Sequence, residues 1–106
     1  MTKIIVLDSA RIDFNDIKAG FKKTHSAARF DQFKQSFKDL FAQMKLFPLA
    51  GVVPDECATL ELVIRQRVAE DIRVIYEVKD DTIFIRMFLS TQRDFLTHLV
   101  ARMLRP

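Results

Sequence analysis

Residues 72–90 read Ile72-Arg-Val-Ile-Tyr76-Glu-Val-Lys79-Asp-Asp81-Thr-Ile-Phe-Ile85-Arg-Met-Phe-Leu-Ser90. Apolar residues alternate on both sides of Lys79-Asp80-Asp81, the period-two pattern of strands with distinct faces. The charged triplet between them is turn chemistry, so Ile72–Val78 and Thr82–Ser90 are expected to pair antiparallel as a hairpin. Strict alternation puts Ile72, Val74, Tyr76 and Val78 on one face of the first strand, and Arg73, Ile75 and Glu77 on the other. On the second strand it separates Ile83, Ile85, Met87 and Leu89 from Phe84, Arg86, Phe88 and Ser90. Upstream, Thr59–Ala69 alternates too, with Leu60, Leu62, Ile64 and Val68 opposed to Glu61, Val63, Arg65 and Arg67.

The N-terminal half has a different period. Lys3–Leu7 is a short β-branched run, read as a strand. Ser9 is a candidate N-cap for a helix whose apolar residues Ala10, Phe14, Ile17 and Phe21 recur at helical spacing, with Gly20 weakening its end. Ser26 is a candidate cap for a second helix carrying Phe30, Phe33, Phe37, Leu40, Phe41 and Met44, a stripe read as core. Pro48, Gly51 and Pro54 interrupt the chain across Phe47–Glu56. Asp94–Arg105 forms a last amphipathic helix. The order β-α-α-β-β-β-α gives an α+β fold: a small antiparallel sheet with an N-terminal helical hairpin packed on one face.

At 106 residues, 49% hydrophobic and 29% charged, the chain is expected to be one domain over residues 1–106, since two smaller pieces would need disulfides or metals to fold. The composition rules out an intrinsically disordered chain. A single cysteine, Cys57, excludes an internal disulfide and a cysteine-rich zinc site. The lack of a long apolar run and of a signal-peptide pattern points to a cytoplasmic protein with no membrane partner. The net charge is +3, and from Thr82 onward Arg86, Arg93, Arg102 and Arg105 face one acid, Asp94. Nucleophile-elbow, P-loop, zinc-protease and dinucleotide signatures are absent, so no metal or cofactor is expected. His25 reads as an exposed turn residue; His98, on the last helix, is a general acid or base if it faces the arginines.

The helical hairpin should bury against the aliphatic face of the sheet. The opposite face would then collect Arg65, Arg67, Arg73 and Arg86 with Phe84, Phe88 and Ile75. Arginines interleaved with aromatics suit a nucleic-acid platform. The same face equally suits a second small core beneath the C-terminal helix, with arginines at its rim, or a surface covered by a partner protein.

The run from Val68 to Ile85 resembles the sheet core of the RelE/ParE superfamily, the toxins of bacterial type II toxin–antitoxin systems: an Arg, two apolar residues and Tyr76, a two-acid turn, and a final apolar strand. Phe47-Pro48-Leu-Ala-Gly51-Val-Val-Pro54 resembles the P-x-x-G connection of that family, and Gln92-Arg93-Asp94-Phe95-Leu96 the start of its last helix. The resemblance covers essentially the whole chain and implies one of two mechanisms. RelE-like members cut mRNA on the 70S ribosome; Arg65, Arg67, Arg73 and Arg86 would then be catalytic, with His98 as the nearby substitute for a Tyr that Leu89-Ser90-Thr91-Gln92 lacks. ParE-like members poison DNA gyrase; Arg93, Arg102, Arg105 and Phe95 would then contact the target. The extended ending from Arg93 to Arg102 is closer to the ParE pattern. Either mechanism implies a cognate antitoxin, expected on Phe84, Phe88, Ile75 and Leu99. A third possibility is a toxin fold retained as an inactive interaction protein.

Overall fold

The computed structural model describes residues 2–54 and 64–103, excluding the side chain of Met103. Cys57, Leu60, Glu61, Leu62, Val63 and Arg105 lie outside the described residues. The elements are β1 (Lys3–Val6), α1 (Asp8–Thr24), α2 (Ala27–Leu46), β2 (Arg65–Ala69), β3 (Ile72–Lys79), β4 (Thr82–Ser90) and α3 (Phe95–Met103). This is the expected α+β order. The sheet runs β1-β4-β3-β2 and is mixed: β2, β3 and β4 are antiparallel, while β1 joins parallel to β4.

Local chemistry sets the boundaries. Ser26 caps α2 as expected, its side chain accepting from Arg29 N–H at 3.1 Å. Ser9 does not cap α1. The extended backbone of Leu7 holds that position, its N–H donating to Ile85 C=O at 3.1 Å and its C=O accepting from Arg11 N–H at 2.9 Å. The chain therefore passes from strand into helix with no intervening turn, and Ser9 falls inside α1. Asp8 at the positive end of the helix dipole and Lys22 and Lys23 at the negative end favour that placement.

Both hairpins have two-residue loops. Lys79 pairs with Thr82 across Asp80-Asp81, and Ala69 pairs with Ile72 across Glu70-Asp71. Glu70 and Asp71 both have positive φ, 54° and 59°, the backbone of a type I′ loop. Aspartate tolerates this region better than most residues. Glu70 is held there by its side chain, which pairs with Arg29 and accepts from Ser36 Oγ at 2.8 Å, pinning the β2–β3 turn to α2.

The main core lies between the hairpin and one sheet face: Ala10, Phe33, Phe37, Leu40, Met44, Ile72, Val74, Tyr76, Ile83, Ile85 and Phe88 are buried there. Phe14, Phe21, Phe30 and Phe41 pack at its margin, so the phenylalanine stripe is core, as its spacing indicates. A second cluster on the opposite face joins Ile64, Ile75, Met87 and Leu89 to Phe95 and Leu99 of α3. The C-terminal helix thus covers the second face with a small core, one of the three uses open for that face.

Two expectations about faces are corrected. The β3–β4 register shifts by one residue: Tyr76 pairs with Ile85 but Ile75 with Met87, leaving Arg86 as the extra residue of a bulge. A bulge inverts the alternation beyond it. Phe88 therefore joins the main core, opposite Val74, while Met87 and Leu89 turn to the α3 side. The second correction concerns β2. A two-residue loop pairing Ala69 with Ile72 also pairs Arg67 with Val74 and Arg65 with Tyr76, placing Arg65 and Arg67 on the hairpin side. Ile64 faces α3 instead.

Candidate functional site

The expected single arginine face is not assembled. On the hairpin side, the Arg65 guanidinium donates to the backbone carbonyls of Leu49 at 3.2 Å and Gly51 at 2.9 Å, and Arg67 donates to Gln43 Oε1 at 2.8 Å. On the α3 side, Arg73 lies over the Phe95 ring, 5.1 Å from its centroid, and reaches Gln66 Oε1 at 3.4 Å. Arg86 is exposed at the bulge and paired with Glu77. Arginines that alternation alone would align are therefore divided between the two faces and engaged with the protein itself.

Two strong anchors hold the remaining geometry. Tyr76 is fully buried; its hydroxyl donates to Pro48 C=O and accepts from Gly51 N–H, both at 3.0 Å. It ties the 47–54 segment to the sheet, and Val52 adds two backbone hydrogen bonds to Gln66. Burial pushes the Tyr76 hydroxyl above its ordinary pKa, although Gly51 N–H and the nearby Arg65 and Arg67 act the other way. The second anchor is Asp13. Its carboxylate receives Arg102 at 2.8 and 3.0 Å and the N–H of Phe88 at 3.3 Å, while Arg102 also donates to Arg86 C=O at 2.9 Å. One aspartate of α1 thus fastens both the end of α3 and the strand just past the bulge.

At its other end, α3 begins on Asp94. Its carboxylate accepts from Thr97 Oγ1 at 2.8 Å and Thr97 N–H at 3.3 Å, which draws its pKa below the ordinary range. These bonds satisfy donors that open a helix.

Of the residues singled out from sequence, Arg93 and His98 are brought together. Two adjoining cavities of about 300 and 430 Å³ run along α1 past the end of β4 and share Asp16, Ile17, Ser90 and Arg93. His98 lines the first and His25 the second. Arg93 is exposed, and His98 Nδ1 lies 2.8 Å from Asp94 C=O. His25 is exposed, as expected, and stacks on Phe21 with ring centroids 3.7 Å apart. Arg102 is committed to Asp13, and Phe95 is buried. Ile75, Phe88 and Leu99 are buried within the chain and Phe84 is half-buried, so they form no common docking surface in this conformation. Among the described residues, no group of three His, Cys, Asp or Glu could hold a metal ion, and no helix is long and apolar enough to cross a membrane.

Sequence reasoning missed Asp13 and the double role of Tyr76. The signal for Asp13 was an acid directly beside the apolar stripe of α1, at the stripe's edge rather than on its outer face. Tyr76 showed as one more member of an apolar face and as part of the family pattern, without a sign of its two hydrogen bonds.

Comparison with known proteins bears on this geometry. Residues 4–95 match the family model described as ParE toxin of type II toxin-antitoxin system, parDE. The chain belongs to the ParE toxin family. A search of curated proteins returns no significant match. As a ParE-like member of the RelE/ParE superfamily, the chain is a type II toxin whose partner is a cognate antitoxin.

Proposed function

We propose that this ParE-family toxin arrests growth in the cytoplasm by poisoning DNA gyrase, using its surface and no bond chemistry of its own. One observation supports this reading over an mRNA cutter. The arginines that would have to converge on a scissile phosphate, Arg65, Arg67, Arg73 and Arg86, are divided between two faces of the sheet. Phosphodiester cleavage needs cationic donors preorganised around one phosphorus; binding a large target does not. The contact would be centred on Arg93 and on the outer side of α3, where Leu96 and Val100 are 42% and 48% exposed. Phe95 and Arg102 act by holding that helix in place.

The test is a supercoiling and cleavage assay with purified gyrase, ATP and closed circular DNA. Stabilised double-strand breaks are expected, and Arg93→Glu should reduce them at least tenfold without lowering the melting temperature. Undisturbed gyrase together with cut mRNA in a translating extract would establish the alternative. Absence of growth arrest on induction without antitoxin would leave an inactive interaction protein. Truncation after Thr91 is a poor probe, because it removes Phe95 and Leu99 from a buried cluster and would disturb folding first.

A further inference from the structure

The two cavities that share Arg93 form one groove between α1 and the outer edge of β4, about 300 Å³ on the His98 side and 430 Å³ on the His25 side. Ligand clefts enclose about 300–1,000 Å³, so the groove has room for several side chains. It follows a sheet edge. β1 pairs with β4 only from Thr82 to Ile85, so among the described residues no strand continues beside Phe88, Leu89 and Ser90. An edge of this kind is where an extended peptide can lie along a sheet.

The charges along the groove are sorted. Asp13 is committed to Arg102, and Glu70 to Arg29. Asp16 and Arg93 line both cavities and have no side-chain hydrogen bond or ion pair among the described residues. They approach from opposite sides, Asp16 from α1 and Arg93 from the turn after β4. His98 donates through Nδ1 to Asp94 C=O, so Nε2 is the ring nitrogen left to the groove.

One uncommitted carboxylate and one uncommitted guanidinium cancel. A nucleic-acid strand needs a surplus of cations along its phosphates, and Asp16 would repel it. A polypeptide carries an N–H donor and a C=O acceptor at nearly every residue, which matches an acceptor on one wall and a donor on the other. We propose that this groove grips an extended polypeptide segment of gyrase, with Asp16 accepting from its N–H groups, Arg93 donating to its C=O groups, and Ile17 and Phe21 receiving an apolar side chain. The proposal rests on the gyrase reading, which supplies the partner; the groove supplies the chemistry. It extends the contact at Arg93 from the outer side of α3 along α1.

The experiment measures two quantities for the full-length toxin: its affinity for purified gyrase without DNA, and the double-strand breaks formed with ATP and closed circular DNA. Asp16→Lys should lower both by about tenfold or more. Asp39→Lys makes the same charge change on α2, outside the groove, and should behave as the wild type does. Gly20→Phe supplies a steric arm. Gly20 lines the larger cavity and an added Cβ there meets nothing within 4 Å, so the ring should fill the groove and give a loss of similar size. All three variants should melt like the wild type. Asp16→Lys with affinity and breaks unchanged overturns the groove and leaves gyrase poisoning standing. More breaks than the wild type makes overturns it by giving the groove to a DNA strand, which an added cation would hold more tightly. A wild-type toxin without effect on gyrase overturns the functional reading and the groove's occupant together.

Discussion

The two glycines of the chain should respond to alanine with opposite signs. Gly51 is buried against Tyr76. A Cβ there would collide with the Tyr76 hydroxyl and stand 2.8 Å from its Cζ and 3.0 Å from Gln66 C=O. Neither neighbour can yield easily: the ring is fully buried and the carbonyl belongs to a strand. Overpacking of this kind costs about 1–3 kcal/mol. For a domain of this size that is a fall of about 4–8 °C in melting temperature per kcal/mol. Tyr76→Phe removes the hydroxyl and leaves Gly51 N–H and Pro48 C=O unpartnered, costing about 1–3 kcal/mol as well. The collision and the hydrogen bonds share one oxygen, so the two changes must couple. Gly51→Ala should cost less in the Tyr76→Phe background, by about 1 kcal/mol or more, with a remainder from the Cζ contact. At Gly20 an added Cβ meets nothing within 4 Å. Gly20→Ala should therefore stabilise α1 by about 0.5–1 kcal/mol, through the smaller backbone entropy lost on folding. Thermal melts of the four variants followed by circular dichroism decide the matter. A Gly51→Ala protein melting within two degrees of the wild type, or strict additivity in the cycle, would refute the account of Tyr76 as the lock on this loop.

Two further predictions concern the ion pairs. Arg29 and Ser36 hydrogen-bond to Glu70 and hold its pKa below the usual carboxylate range. A depressed folded pKa means stability that is complete above the unfolded value of about 4.3 and lost as pH falls through the folded one. The melting-temperature gap between wild type and Glu70→Gln should therefore close on acidification below that point; a gap independent of pH would rule out the pair as its source. Asp13→Ala removes the partner of a largely shielded Arg102, the two side chains being 20% and 22% exposed, and an acceptor for Phe88 N–H. A loss of about 1–3 kcal/mol is expected, with faster hydrogen exchange in α3 and at Phe88; unchanged exchange there would show that α3 is held by Phe95 and Leu99 alone.

How much could be read in advance depended on which interactions were local. The phenylalanines of α2, the Ser26 cap and the Asp80-Asp81 turn are each set by neighbours within a few positions, and each was legible. So was the order of elements, because period two and period 3.6 change over at the Pro48–Pro54 breaks. Faces were harder. The register of β2 was present in principle: two residues separate Ala69 from Ile72, and pairing across such a loop already places Arg67 opposite Val74. Alternation anchored on the apolar residues Ile64 and Val68 misleads, because these sit on the α3 side and at the exposed surface. The Asp13–Arg102 pair spans most of the chain, and its one local trace is an acid at the edge of the α1 stripe, with nothing to point to Arg102.

The bulge at Arg86 is the hardest case, and it also carries the clearest test. Nothing in Ile85-Arg86-Met87 departs from alternation, because apolar residues continue on both sides. What decides the matter is the demand of two cores at once: the hairpin needs Phe88 against Phe14 and Phe37, whose ring centroids lie 4.7 and 6.2 Å away, while α3 needs Met87 and Leu89. A regular β4 can supply only one of these. Arg86 as a side chain should then matter little: its pair with Glu77 is half-exposed, and Arg86→Ala should cost under about 1 kcal/mol. Arg86 as a residue is the one that β4 can lose without changing faces. Deleting it closes the bulge and sets Ile85 next to Met87 in regular alternation, so Phe88 stays opposite Val74 in the main core and Met87 opposite Ile75 under α3, and the deletion should keep a cooperative melt close to that of the alanine variant. A deletion variant that loses its cooperative melt would mean that the bulge itself, and not the demand of the two clusters, fixes β4. The split of Arg65 and Arg67 from Arg73 rests on the β2–β3 pairing and stands in either case.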